Sequence, residues 1–312
     1  MALSTQARAR DADLFARLGL RGLAAREARF AYAVVALIYL FFAALTFFPI
    51  VLAVFVSLTR WDGLAPLSEA RFIGLQNYQI LATDQRFINS LLTTFGLAAR
   101  AYVGQLGLGL ALALLVTNLP HFRSAVRLIV FTPFMLPTVA VAVMFVLLMQ
   151  PNWGGLNGVL DAAGLPANTW LSQSTSALNS IALILIWRDA GYYTVLFMTA
   201  LLAVPQEYYE AASIDGAGPL QKFLRITWPS ILPAFLFISV INIISNLQVF
   251  IPVFVLTGGG PDRSTEVVMV RMFRTAFAEF QYSQANAMAI ILFAIILVAT
   301  VTQFKLLRHD AD

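Results

Sequence analysis

The chain has 312 residues, of which 60% are apolar and only 12% charged, and its mean hydropathy is +0.79. A soluble globular domain carries roughly a quarter charged residues and just under half apolar ones, so lipid is the solvent for most of this chain. The lack of cysteine excludes a thiolate nucleophile and any disulfide, and the two histidines, His121 and His309, leave little for an imidazole site.

Residues 1–29 form a basic segment expected to be cytoplasmic, with Arg8, Arg10, Arg17, Arg21, Arg26 and Arg29. A charge-free run from Phe30 to Thr59 follows. It is about twice as long as the apolar core of a secretory signal and reads as a first membrane span. Charge-free or nearly charge-free runs of the length a bilayer demands place the spans at 31–57, 89–116, 128–149, 178–202, 231–256 and 285–305, within a permease-sized domain over 30–305. A tail over 306–312 follows. The expected fold class is an all-α membrane protein with six spans.

An even number of spans puts both termini on one side. That side collects the six N-terminal arginines, then Arg123, Arg127, Lys222, Arg225, Lys305 and Arg308. The other receives only Arg60, Arg71, Arg86, Arg263, Arg271 and Arg274. The bias of Lys and Arg toward the inside makes the first side the cytoplasm.

The longer of the two cytoplasmic loops, 203–230, has its own helical pattern, and such loops usually carry function. Pro205 opens a helix whose first turns hold Glu207 and Glu210, where carboxylates suit the positive dipole end. Ala211 and Ala212 are small enough for another surface to come close, Asp215-Gly216 ends the helix, and Gly218-Pro219 turns the chain. An amphipathic segment with Leu220, Phe223, Leu224 and Ile226 returns it to the membrane. A helix resting on headgroups prefers Lys and Arg on its polar face. This one carries Glu207, Glu210 and Asp215, so it points to a protein partner.

Ionisable groups inside spans are expensive and often mark a pathway. Arg188 and Asp189 lie about mid-depth in span four, and Tyr192 shares a helical face with Asp189. They are read either as an internal ion pair or as part of a substrate-lining face. In span five Asn242 and Asn246 share a face, with Ser245 and Gln248 nearby. Carboxamides glue helices together in lipid, and they also suit a sugar. Arg100 is expected to be structural, snorkelling or pairing with Asp189, and Gly104, Gly107 and Gly109 form a strip for close helix contact.

The loop carries a resemblance as well. Glu210-Ala211-Ala212, Asp215-Gly216-Ala217, Ile226 and Pro229 resemble the EAA loop of inner-membrane permeases of ATP-binding-cassette importers, with Trp228 standing where the family usually has Leu. Phe72-Ile73-Gly74-Leu75-Gln76-Asn77-Tyr78, Gly155-Leu156-Asn157 and Leu256-Thr257-Gly258-Gly259-Gly260-Pro261 with Ser264-Thr265 resemble loop signatures of the carbohydrate-type branch. The last is most similar to the first permease of maltose and glycerol-phosphate pairs.

The resemblance implies a multi-pass protein of the bacterial inner membrane that pairs with a second, similar permease. It also implies two cytoplasmic ATPase subunits and an extracytoplasmic solute-binding protein. Glu207, Glu210, Ala211, Ala212, Asp215, Gly216 and Ala217 would then form the coupling helix seated on an ATPase. Asn242, Asn246 and Ser245 in span five, with Asp189, Tyr192 and Arg188 in span four, would fall on the faces that meet a sugar, neutral or anionic. No catalytic residue, metal or cofactor is expected on this chain, ATP and magnesium belonging to the partner. Its two lysines, Lys222 and Lys305, end no phosphate-cradling glycine loop. The rival readings are a stand-alone secondary transporter, which would need an inverted repeat and broken helices, neither of which is read in this sequence, and a membrane-embedded enzyme.

Overall fold

The computed structural model describes residues 21–117 and 123–308. The N-terminal arginines Arg8, Arg10 and Arg17, both histidines and the last residues of the tail lie outside them. Five helices are long and apolar enough to cross a membrane, and a bent pair makes a sixth crossing if taken as one span. The chain divides into Met1–Val56 and Ser57–Asp312. In the first unit the helix Arg21–Phe42 runs through a π-helical turn, Ala43–Phe47, into the helix Phe48–Ser57. Its run from Phe30 onward is apolar on all sides, as a lipid-embedded helix should be.

The second unit is built on span two, Gln85–Thr117, and span four, Ser174–Leu202, which pack along each other. Lipid tails are as apolar as leucine, so close packing and interhelical hydrogen bonds must hold such helices together. Small residues permit the approach. A methyl at Gly109 would lie 2.8 Å from Tyr193 Cβ, one at Gly104 would run into Ile186, and one at Gly191 would run into the Val130 backbone of span three. Gly107, the third member of the expected strip, meets open space instead. Around this pair sit three buried apolar clusters. One joins Leu97, Ile181, Leu185 and Val253, the second Leu81, Phe87, Met288 and Leu292, the third Leu106, Val116, Phe197 and Ile238.

Two expected spans are broken, which corrects a reading that found no broken helices. Span three consists of Arg123–Met135 and Thr138–Leu148, bent by 94°. Pro137 has no N–H to give the Pro133 carbonyl, and a residue before proline is driven out of the α region. The Leu136 amide closes the last turn on Pro133 O at 3.3 Å. Span five leaves the loop through a π-helical turn, Phe223–Thr227, and runs as Trp228–Leu247. It stops at Gln248, and Ile251–Leu256 starts a separate short helix. Pro252 cannot donate to the Gln248 carbonyl, so the apolar run continues while the helix does not. Span six is the unbroken helix Tyr282–Arg308.

The connections are ordered. The link between spans one and two holds a two-stranded antiparallel ribbon, Thr59–Arg60 with Arg71–Phe72, and the helix Gln76–Thr83. Helices Gly155–Ala162 and Val268–Phe277 occupy the links between spans three and four and between five and six. Gln206–Ile214 occupies the link between four and five.

Candidate functional site

The polar residues of spans four and five converge on one that sequence reasoning missed, Gln105 of span two. Its Oε1 accepts from Asn242 Nδ2 at 2.7 Å and from Asn246 Nδ2 at 2.8 Å. Its Nε2 donates to Asp189 Oδ2 at 3.0 Å and to Leu185 O at 3.2 Å. Asn246 Nδ2 also reaches Asn242 Oδ1 at 2.9 Å. Arg188 grips its neighbour, with Nε to Asp189 Oδ1 at 2.6 Å and a second contact to Oδ2 at 3.1 Å. It also donates to Thr138 Oγ1 at 3.1 Å, just beyond the break in span three. Four spans thus meet at one hydrogen-bonded node.

Burial sorts the members. Gln105, Asp189, Asn242 and Asn246 are buried, with Asn242 wholly enclosed, whereas Arg188 is half-buried and Ser245 exposed on the same helix as the asparagines. Within the pair the Asp189 carboxylate is the inner group and Arg188 the outer one. The turn of the helix carries Asp189 toward span two while Tyr192, three residues on, stacks on Phe134 with ring centroids 4.6 Å apart. Arg100 does not reach Asp189. It is exposed and donates to the Gly96 carbonyl of its own helix at 2.7 Å. The signal that could have found Gln105 is a carboxamide alone in an otherwise apolar stretch of span two.

Tyr102 OH and Ser239 Oγ are hydrogen-bonded at 2.5 Å, and Gln303 of span six also donates to Ser239. A second polar tie therefore joins spans two, five and six.

The loop between spans four and five folds as expected in its local detail. The helix Gln206–Ile214 ends at Asp215, and Gly216 follows at φ +75°. The Ala217 amide returns to Ala212 O at 2.9 Å and the Gly216 amide to Ser213 O at 3.2 Å, the two bonds of a Schellman cap. Gln221 accepts from the Gly218 amide at 3.1 Å and opens the next turn. Lys222 Nζ donates to Ser213 Oγ at 2.6 Å, and Tyr209 and Thr227 hydroxyls lie 2.9 Å apart, so the loop is tied to the start of span five. Glu207, Glu210, Ala211, Asp215 and Gly216 are exposed, with Ala212 and Ala217 half-buried. Ile214 is 87% exposed, and Tyr208 and Leu220 of the same loop are exposed as well, apolar surface that an isolated loop would hide. Behind the helix a cleft of about 630 Å³ runs between the ends of spans two and four.

The motif residues of the other loops are anchors. Asn77 donates to Ser57 O and Thr59 O at 2.8 Å each. Asn157 accepts from Trp170 Nε1 at 2.7 Å and donates to the Pro151 and Asn168 carbonyls. Thr257 and Thr265 hydroxyls bond across the glycine run at 2.7 Å. Beside that run, Glu266 is buried and takes Arg86 at 2.8 Å and Arg274 at 3.0 Å. Burial alone would raise the Glu266 pKa, but the bonds and charges of the two guanidinium groups outweigh it and hold the carboxyl below its ordinary value. Arg271 pairs with Glu279 at 2.5 Å and approaches Asp84 at 3.7 Å.

A buried polar node joining spans two to five, with a capped acidic helix between the fourth and fifth, fits one family. The family described as binding-protein-dependent transport system inner membrane component matches residues 105–308. The chain belongs to that family. Its members are transport permeases, not enzymes.

The diacetylchitobiose uptake system permease protein NgcF of Streptomyces coelicolor is 32% identical, covering 82% of this chain and 76% of its own. The multiple sugar-binding transport system permease protein MsmF of Streptococcus mutans is 32% identical over 83% and 89%. A chain from the crystal structure of a bacterial alginate ABC transporter, in complex with a pentasaccharide-bound periplasmic protein, shares the fold. Its TM-score is 0.80 at 22% identity, with 92% and 96% of the two chains covered. The protein is thus an ABC transporter permease with several membrane helices.

Proposed function

We propose that this permease is one half of the pathway of an ATP-driven importer for a sugar or sugar derivative, in a bacterial inner membrane. The substrate class rests on the names of its relatives, which concern diacetylchitobiose and multiple sugars. Its residues 30–305 form the membrane domain, both termini are cytoplasmic, and the loop 203–230 couples transport to ATP hydrolysis on another chain. The partners are a second permease of the same family, two cytoplasmic ATPase subunits and an extracytoplasmic solute-binding protein. ATP and magnesium reside on the ATPase, and no metal or cofactor is assigned to this chain.

One observation carries this reading: an acidic, Schellman-capped helix with exposed Ile214 between spans four and five. Closure of the ATPases would press on that helix. The node of Gln105, Arg188, Asp189, Asn242 and Asn246 would join the moving spans, and its edge at Tyr192 and Ser245 would meet the substrate when the spans separate. Supporting this, the node ties four spans through carboxamide and ionic bonds that can be exchanged for sugar hydroxyls.

The test is uptake by proteoliposomes holding the complex purified through a tag on this chain. Transport should need ATP inside and the binding protein outside. Gradient-driven uptake by this chain alone, without ATP, would instead establish the secondary-transporter reading.

A further inference from the structure

The ribbon between spans one and two places two arginines directly opposite each other. Arg60 and Arg71 are register partners in the antiparallel pair, so their side chains leave the same face. Like charges at directly opposed positions destabilise a sheet. The other loop arginines that form ion pairs are engaged elsewhere, and Glu69, two residues before Arg71, pairs with neither ribbon arginine. Arg86, Arg271 and Arg274 are all paired with carboxylates. Asp62, two residues from Arg60, accepts from the Leu64 and Ala65 amides of its own turn. Among the described residues no carboxylate lies within 4.0 Å of the Arg60 or Arg71 guanidinium. Arg60 is instead aimed by Gln76, whose Oε1 accepts from it at 3.2 Å.

The surroundings define the missing anion. Arg60 and Arg71 line a shallow depression of about 570 Å³ together with Phe72, Ile73 and Leu75. Phe72 and Leu75 are 66% and 64% exposed. The ribbon begins at Thr59, two residues past the end of the apolar helix Phe48–Ser57. The charge-free run also ends at Thr59, where a span of this kind passes from hydrocarbon into headgroups. A carboxylate on a protein partner would match the charge and leave the apolar rim unexplained. A phospholipid supplies both parts, a phosphate for two guanidinium forks and chains for Phe72 and Leu75.

We infer that Arg60 and Arg71 form a headgroup clamp that holds the phosphate of an anionic phospholipid against the ribbon. The bound phosphate neutralises the opposed pair and fixes the connection between the first two spans at the membrane surface. This inference does not depend on the substrate or on the docking helix.

The experiment uses the intact complex, purified through a tag on this chain, in nanodiscs of phosphatidylcholine doped with phosphatidylglycerol. Native mass spectrometry after release counts the phosphatidylglycerol retained. Arg60→Gln with Arg71→Gln should weaken retention about tenfold or more, the scale of losing charge-assisted bonds. Arg263→Gln, at another exposed arginine, should leave it unchanged. Should the double variant fail to assemble, Arg71→Gln alone carries the same readout with a smaller loss. Equal retention by variant and native complexes overturns the inference. So does a variant that keeps its phosphatidylglycerol but loses stimulation by the solute-binding protein, since that result assigns the arginines to an acidic protein surface.

Discussion

Gln105 Oε1 accepts from Asn242 Nδ2 across 2.7 Å, and through this bond span two holds span five at a wholly buried point. The same oxygen serves Asn246, so a single carboxamide saturates two donors. Its amide end serves Asp189, and no other described side chain touches three members of the node.

Replacing Gln105 by leucine should therefore loosen the bundle more than replacing either asparagine. The change takes the acceptor from Asn242 Nδ2 and a donor from Asp189, each buried loss being about 1–3 kcal/mol in a water-referenced setting, while Asn246 Nδ2 keeps its bonds to Asn242. Bonds within membranes average nearer 0.6 kcal/mol because the unfolded state finds other partners. The expected result is a lowered unfolding temperature of the detergent-solubilised complex, larger for Gln105→Leu than for Asn246→Leu. A larger loss in the asparagine variant would remove Gln105 from the centre of the node.

Arg188→Gln leaves the Asp189 carboxylate enclosed with one neutral partner. Breaking a buried pair from one side costs about 3–5 kcal/mol, so assembly of the complex should fall. Adding Asp189→Asn removes the stranded charge and should restore assembly. Uptake measured on the restored double variant then reports on recognition alone. If the second substitution fails to rescue assembly, the ion pair is not what Arg188 contributes.

Gly216→Val tests the Schellman turn without disturbing any packing, because a methyl built there meets nothing within 4 Å. Its φ of +75° is the entire obstacle, and β-branched residues tolerate it poorly. Co-purification of the ATPase subunit should be lost, with membrane insertion normal. Gly216→Asn, which accepts the left-handed region, should keep the complex. Retention of the ATPase by the valine variant would argue against docking through this helix.

Glu266 links acidity to the stability of the segment between spans five and six. Its folded pKa is lowered by Arg86 and Arg274 against the effect of burial. Its contribution is thus complete above the ordinary glutamate value of 4.5 and disappears as pH falls from there through the folded value. Amide protection along Val268–Phe277, taken relative to the intrinsic exchange rate at each pH, should fall over that acid window in the native protein. In Glu266→Gln it should be lower already at neutral pH and show little further change on acidification.

The spans were legible because lipid imposes a rule that can be read from one residue type at a time: no charges for about twenty positions. The Schellman turn was legible for the same kind of reason, since Asp215-Gly216 states a local backbone demand. The breaks at Pro137 and Pro252 were equally local but were masked by uninterrupted hydropathy. The node was legible only by halves. Asn242, Asn246 and Asp189 stood out as polar residues in apolar helices, while the partner that joins them lies 84 and 137 positions away from Asp189 and Asn242. Spacing along a single helix cannot reveal an acceptor on another one. The pairing of Arg86 and Arg274 on Glu266 escaped for the same reason, each residue looking like ordinary loop charge.

The π-helical turn Phe223–Thr227 has a mechanical consequence. Lys222 before it and Trp228 after it both have right-handed helical backbones, at φ −61° with ψ −43° and φ −59° with ψ −50°. The loop therefore runs into span five as one helical rod, with Pro233 inside it. From Thr227 to Asn242 that rod spans roughly 22 Å at 1.5 Å per residue. With Lys222 and Tyr209 fastening the loop helix to its base, a push at Ile214 of the kind proposed above would act on a lever arm. The rotation would arrive at the far end as a shear on the Asn242–Gln105 bond.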